Sequence, residues 1–275
     1  MTLLPFVKLS GAGNDFILTN GSLRNPAAGP SLAKKLCNRR LSVGADGLLV
    51  VSRGARRSLP SVRYYNADGS KAFCGNGTRC AAWWMHLRRW VGKRFVVRTI
   101  SGPVAGQVTG SEKVRLGMPL PKNVRWNMRL SAAGRTWAVH FLEIGVPHAV
   151  VILRSDDLEK FPVAQIGRAL RNHPAFRPKG TNVDFIVFPN RRSSNGLLCI
   201  RTYERGVEGE TLACGTGAVA SAFCAHFLYG IPSPIRIATR GGDILTAYFN
   251  LTQGGPNQVW LEGPARVTFQ GEVVL

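Results

Sequence analysis

Alternation of apolar and polar residues dominates this chain and sets its predicted elements. VRYYNADG, ending near Gly69, reads as a half-buried strand running into a turn formed by Asn66, Asp68 and Gly69. The period then changes. After Cys74-Gly75-Asn76-Gly77, the stretch TRCAAWWMHLRRW carries apolar residues at helical spacing. The same succession returns later as the strand LLCIRTY, the loop ERGVEGE and the helix ACGTGAVASAFCAHFLY, which is predicted to end at Gly230. Its almost unbroken apolar character predicts burial on most sides. FVVRTISGPVAGQVTG, KVRLGM, TWAVHFLEIG, HAVVIL, PIRIAT, DILTAYFN, NQVWLEG and ARVTFQGEVVL supply further strands. The pattern is strand-rich, with one long internal helix in each half.

Two phrases recur in the same order, which predicts a duplication. GAGNDFI at 11–17 is echoed by KGTNVDFI at 179–186. RYYNADGSKAFCGNGTRCAA at 63–82 is echoed by RTYERGVEGETLACGTGAVASA at 201–222. Pro119 and Pro121 mark a boundary near residue 120. The final strand from Ala265 is expected to return to the first domain.

Composition narrows the class. Of 275 residues, 45% are hydrophobic and 19% charged, which describes a globular chain. No basic n-region leads a long apolar run, so a secretory signal is not expected, and the apolar stretches are too short for membrane helices. The six cysteines form no CxxC and the five histidines no HExxH or close pair, so reduced thiols in a cytoplasmic protein are expected, and spacing gives no metal site while leaving open one assembled through space. Net charge is +21, unevenly placed: residues 1–121 hold 19 Lys/Arg against 4 Asp/Glu, a net of +15. Such a field attracts anions in general. The basic residues are scattered, with short clusters at 53–57, 88–89, 93–94 and 191–192. No nucleic-acid motif accompanies them, so a solvated basic surface is the expectation.

The chemistry sits at the two helix starts. Cys74 and Cys214 each open a helix, where free N–H groups and the helix dipole favour negative charge and should lower a thiol pKa. The glycines that follow leave N–H groups bare to hold a carboxylate. A thiolate and a thiol on opposite sides of one carbon next to a carboxylate would invert it, one taking a proton and the other giving one. One CGxG before a helix is more often packing than catalysis; two in matched contexts favour catalysis. A Cys74–Cys214 disulfide remains a rival reading. Cys37, Cys80, Cys199 and Cys224 read as core residues. GAGND lacks the third glycine of a dinucleotide loop, since residue 16 is Phe, and no lysine context implies PLP.

These motifs resemble the diaminopimelate epimerase family over nearly the whole chain. The matching phrases are GAGNDF from Gly11, VGADGLL from Val43, NADGS from Asn66, CGNGTRCAA from Cys74, GVPHAV from Gly145, TNVDFI from Thr181, YERGVEGETLACGTGA from Tyr203 and GPA from Gly263. The resemblance implies an α/β fold of two pseudo-symmetric domains, each a mostly antiparallel sheet wrapped around a central helix. These would be residues 1–120 with 264–275, and 121–263, with the active site in the cleft between them. It implies cofactor-independent interconversion of L,L- and meso-2,6-diaminopimelate, in lysine and peptidoglycan-precursor synthesis, by a cytoplasmic homodimer. Its partner would be a small amino-acid substrate, with no specific nucleic acid and no membrane. Cys74 and Cys214 would be the two bases, with Cys214 the acceptor and Cys74 the donor from L,L to meso. His148 and Glu204 would poise the thiols. Asn14, Asn66, Asn182, Glu204 and Arg205 would bind substrate, and the backbones of Gly75, Asn76, Gly215 and Thr216 would form the two anion nests. Gly47 and Val146 depart from the family pattern, which often has Gln and Asn there, at the distal end of the substrate site.

Overall fold

The computed structural model describes residues 2–20, 28–54, 58–153, 158–188, 197–252 and 255–275. Parts of two basic clusters, 55–57 and 191–192, lie outside them. The chain divides into two compact units, residues 1–117 with 262–275, and residues 118–261.

The first unit runs β1 (Leu3–Gly11), β2 (Asn14–Asn20), α1 (Gly29–Leu36), β3 (Gly47–Ser52), β4 (Ser61–Asn66), β5 (Lys71–Ala72), α2 (Gly75–Leu87), β6 (Arg94–Thr99), β7 (Gly102–Gly110) and β8 (Lys113–Gly117). β1 and β2 are antiparallel, β2 and β3 parallel, β3 and β4 antiparallel. β4 then meets β5 antiparallel and β6 parallel, the latter only at Ser61 and Arg98. The last strand of the chain, Arg266–Val274, lies antiparallel to β1. The sheet wraps α2, which packs against β1, β2, β3, β4, β7 and β8. Leu9, Phe16, Leu49, Val97 and Val114 close over Cys80, Ala81 and Met85 of that helix. Burying one such large side chain is worth about 1.5–3 kcal/mol. In a second layer, Leu32 and Leu36 of α1 pack with Leu48 and Tyr65 of the sheet.

The second unit runs β9 (Lys122–Ala132), β10 (Arg135–Glu143), β11 (Pro147–Ile152), α3 (Val163–Arg171), β12 (Asn182–Val187), β13 (Leu197–Glu204), β14 (Gly209–Thr211), α4 (Gly215–Tyr229), β15 (Ile235–Ala238), β16 (Ile244–Thr252) and β17 (Gly255–Pro264). The returning strand is therefore β18. The pairings repeat those of the first unit: β10–β11 antiparallel, β11–β12 parallel, β12–β13 antiparallel, then β13 with β14 antiparallel and with β15 parallel. α4 packs against β10, β11, β12, β13, β15 and β16 and is buried from Gly217 to Ala225. It ends at Gly230 in the left-handed conformation that a C-terminal glycine permits.

Topology corrects one of the two sequence echoes. The phrase around Cys74 and Cys214 holds: Tyr65 pairs with Lys71 as Tyr203 pairs with Glu210. The DFI echo does not. Asp15-Phe16-Ile17 lies in β2, whereas Asp184-Phe185-Ile186 lies in β12, the counterpart of β3. The parallel registers set Phe16 beside Gly47 and His148 beside Asn182. Phe16 is thus equivalent to His148, Gly47 to Asn182 and Leu49 to Asp184. Aspartate followed by two apolar residues suits any buried strand that starts at a polar edge, so the likeness was compositional. The short amphipathic helices α1 and α3 were not anticipated; at 8 and 9 residues they span barely two turns, too few for a clear period.

Candidate active site

Cys74 is the N-cap of α2, with extended backbone (φ −130°, ψ 110°), and its sulfur accepts the Gly77 N–H at 3.3 Å. That satisfies one of the donors a helix start leaves open. Gly75 and Asn76 form the first turn. The Asn76 side chain, nearly buried, donates to Asn14 Oδ1 at 2.8 Å and accepts from Arg79 at 2.6 Å. Asn14 in turn donates to Asp46 at 3.0 Å. Behind it, Arg39 bridges Asp46 and Asp15, and Lys8 pairs with Asp15 at 2.7 Å. Burial alone would raise the Asp15 carboxyl, yet its bonds to Arg39 and Lys8 hold it at about 2. Asn66 stands apart from this network and donates to Ser70 Oγ at 2.9 Å across its turn.

Cys214 is the N-cap of α4, again extended (φ −119°, ψ 114°), and Gly215 and Thr216 open the helix. Its sulfur lies 3.5 Å from the Thr216 hydroxyl. That hydroxyl is 2.9 Å from His148 Nε2, and His148 Nδ1 is 2.7 Å from Asp184. Thr202 donates to the other Asp184 oxygen at 2.7 Å. The Asp184 carboxylate can only accept when ionised, so Nδ1 is the donor nitrogen toward it, and Nε2 and the thiol share the Thr216 hydroxyl. His148 and Asp184 are both fully buried. Asp184 reaches the helix start only because residue 217 is glycine; a Cβ there would overlap its carboxylate.

The remaining residues assigned to this half lie on β12 and at the end of β13. Asn182 donates to Pro147 O at 3.1 Å and accepts the Arg205 backbone N–H at 2.8 Å. The Arg205 guanidinium reaches Lys179 O at 3.4 Å. Burial raises the Glu204 carboxyl, and the nearby Asp184 charge adds to this.

One expectation is overturned. Helix position was expected to lower both thiols, but Cys214 is pushed well above its ordinary range by burial first and then by the charges of Glu204 and Asp184. Thr216 and the Gly217 N–H oppose this and do not overcome it. A helix terminus contributes at most about 2 kcal/mol in a favourable site, less than desolvation beside two carboxylates. All six cysteines are thiols in this structure. Cys37, Cys80 and Cys224 are buried and Cys199 is half-buried.

Sequence reasoning missed Asp184, Thr202, Asp46 and Arg79. The signal for Asp184 was present as a charge inside the apolar run VDFIV, where burial demands a partner. Gly47 has a physical counterpart: any side chain there would overlap the Tyr64 ring. Val146 is half-buried on the turn before β11. Among the described residues no three of His, Cys, Asp and Glu are arranged to hold a metal ion. Among them, too, no helix is long and apolar enough to cross a membrane.

Comparison with known proteins gives the family and the fold. A family model described as diaminopimelate epimerase matches residues 6–121 and 140–267. The diaminopimelate epimerase of Hydrogenobaculum sp. (strain Y04AAS1) is 36% identical over 96% of this chain and 96% of its own. That of Chlorobaculum tepidum is 36% identical over 97% of this chain and 100% of its own. Among solved structures, a Bacillus anthracis phenazine biosynthesis protein of the PhzF family superposes with a TM-score of 0.77 at 12% identity, covering 100% of both chains. A probable proline racemase from Agrobacterium radiobacter K84 gives 0.70 at 15%, covering 99% of this chain and 93% of its own. These two share the fold. On its sequence matches over both units, the chain belongs to the diaminopimelate epimerase family.

Proposed function

We propose that this protein interconverts L,L- and meso-2,6-diaminopimelate by inverting one α-carbon, without a cofactor. The observation that carries the reading is the repeated half-site, a cysteine capping a helix in each unit, in a chain of this family. Inversion needs a proton removed from one face of the carbon and another delivered to the opposite face, and two thiols meet that need. N–H groups at Gly75, Asn76, Gly215 and Thr216 would take carboxylate charge as it grows in the transition state. Asn14, Asn66, Asn182, Glu204 and Arg205 are assigned to the substrate's remaining polar groups. From L,L to meso, Cys214 is the acceptor and Cys74 the donor. The protonated Cys214 that burial favours is then the form left by that turnover, and it starts the reverse one. We place the activity in lysine and peptidoglycan-precursor synthesis, in the cytoplasm, by a homodimer, with neither nucleic acid nor membrane as partner.

The test is to incubate reduced protein with the L,L isomer in heavy water, with no added PLP or metal. Equilibration with the meso form and deuterium at the α-carbon are expected. Absence of both from folded, reduced protein overturns the assignment. Tyr64 over Gly47 favours a second reading, action on a related amino acid with a different distal group. Turnover of another amino acid in preference to diaminopimelate would establish it.

A further inference from the structure

The two units differ sharply at one equivalent place, the notch where the strand before the catalytic helix leaves one neighbour and meets the next. In the second unit that strand is β13, flanked by β14 and β15. Arg201 fills the notch and is held bidentately by Glu210, with both contacts at 2.6 Å. Its remaining nitrogen donates to the backbone oxygens of Leu158, Glu159 and Phe161. Arg240 adds a second cation that pairs with Glu159 and lies 4.0 Å from Glu210. Charge in this notch is balanced by carboxylates of the chain itself.

In the first unit the strand is β4, flanked by β5 and β6. Arg63 stands where Arg201 stands, two residues before the tyrosine that pairs with β5. The partner position, Glu210 in the second unit, is Lys71 here. Arg63 and Lys71 are diagonal neighbours on one sheet face, where like charges repel. Arg98 arrives from β6, and Ile100 occupies the place of Arg240. These residues line a cavity of about 690 Å³, within the range of small-molecule sites, together with Ser61 and Thr99. No Asp or Glu lines it. The segments 21–27 and 55–57 contain no acid either. Asp15 and Asp46 are engaged by Lys8 and Arg39, and Asp68 accepts from Ser70. Among the described residues Arg63, Lys71 and Arg98 have no ion pair.

The geometry points to a binding site for a small multivalent anion in the β4–β5–β6 notch, with Arg63, Lys71 and Arg98 as its cationic ligands. The anion supplies the negative charge that Glu210 supplies in the second unit. Arg63 offers a planar fork suited to carboxylate or phosphate, and Lys71 a point charge. The ligand class is a di- or tricarboxylate or a phosphate-bearing metabolite. Cys74, Gly75, Asn76, Asn14 and Asn66 do not line it, though Tyr64 borders both places, and the site adds to the proposed activity rather than explaining it.

The probes are citrate and pyrophosphate, titrated calorimetrically into the whole reduced protein at constant ionic strength, so that each source of the anion has its own arm. Saturable one-to-one binding of at least one is expected. Lys71→Glu installs the second unit's pair; affinity should fall at least tenfold, and the melting temperature without anion should rise. Arg98→Gln should weaken binding several-fold. Arg129→Glu, an exposed change of equal charge on β9, controls for the +21 field and should leave binding unchanged. The proposal is overturned if neither probe binds, or if Lys71→Glu and Arg129→Glu weaken binding alike. It is overturned also if a duplex oligonucleotide binds through these residues while both small anions fail.

Discussion

The two cysteines occupy equivalent places, yet the groups behind them are opposite in kind. Behind Cys214 stand His148 and Asp184; their equivalents behind Cys74 are Phe16 and Leu49. The glycine two residues into each helix records the difference. A Cβ at Gly77 would press on Leu49 and Phe16, and one at Gly217 on the Asp184 carboxylate. The first half-site is an apolar wall with an amide network at its edge, Arg79 to Asn76 to Asn14 to Asp46. The second is a buried polar chain from Asp184 through His148 and Thr216 to the thiol. The repeated scaffold thus keeps a cysteine at the helix N-cap and differs in what surrounds it. The comparison teaches that helix position does not fix a thiol's acidity; its neighbours do.

The largest effect should come from the shared element. Cys74→Ala and Cys214→Ala should each lower kcat by about 10³-fold or more, since each removes one of two proton carriers. Both variants should remain folded by circular dichroism. Residual turnover above a few per cent in either would show that the halves are not equal partners.

The second test exchanges what differs. Asp184→Leu alone strands His148 and Thr202 in a buried site and should cost about 3–5 kcal/mol in urea unfolding. The double change His148→Phe with Asp184→Leu copies the first unit's wall into the second. It should recover most of that loss, because replacing a buried pair by packed apolar groups is close to neutral. Turnover should stay at least about 10²-fold down. Recovery of activity along with stability would mean that this polar chain is structural only.

Much of this contrast was legible in the residues and some was not. The CGxG helix starts, the strand before each and the Gly230 stop follow from local rules, because period and turn chemistry act over a few residues. The parallel β2–β3 and β11–β12 pairings do not, since two strands brought together by a long crossover leave no local mark. For that reason the DFI echo misled, and the equivalence of His148 with Phe16 was invisible. Asp184 was readable as an anomaly, but its partners come from β11, β13 and α4, which only the tertiary fold assembles. The sign of the Cys214 shift was lost likewise: the helix dipole is a local inference, whereas desolvation and the nearness of Glu204 are not.

Glu204 tests that sign directly. A carboxylate beside a thiol disfavours thiolate, so Glu204→Gln should lower the Cys214 pKa and raise its thiolate fraction at pH 8. Alkylation of Cys214 by iodoacetamide, followed by peptide mass spectrometry, should speed up by roughly three- to tenfold. Cys74, in the other half, should react at an unchanged rate, while turnover falls because Glu204 is assigned to the site. A slower Cys214 in this variant would reverse the electrostatic account.

The smallest effect separates rim charge from buried charge. Asp15 has its folded pKa at about 2, below the unfolded value, so its contribution is complete above about pH 4 and is lost as pH falls toward 2. Its side chain is 25% exposed and faces Arg39 at the surface, so solvent screening limits the contribution to about 1 kcal/mol or less. Unfolding free energy measured at pH 5 and pH 2.5 should therefore fall less in Asp15→Asn than in the parent, by about that amount. Adding 0.5 M salt should shrink this difference, because the Arg39–Asp15 pair is screened. The His148–Asp184 pair, closed to solvent, should respond to salt far less. If Asp15→Asn keeps the parent's full acid sensitivity, the acid response belongs to other carboxylates and the rim network of the first half-site carries no measurable charge energy.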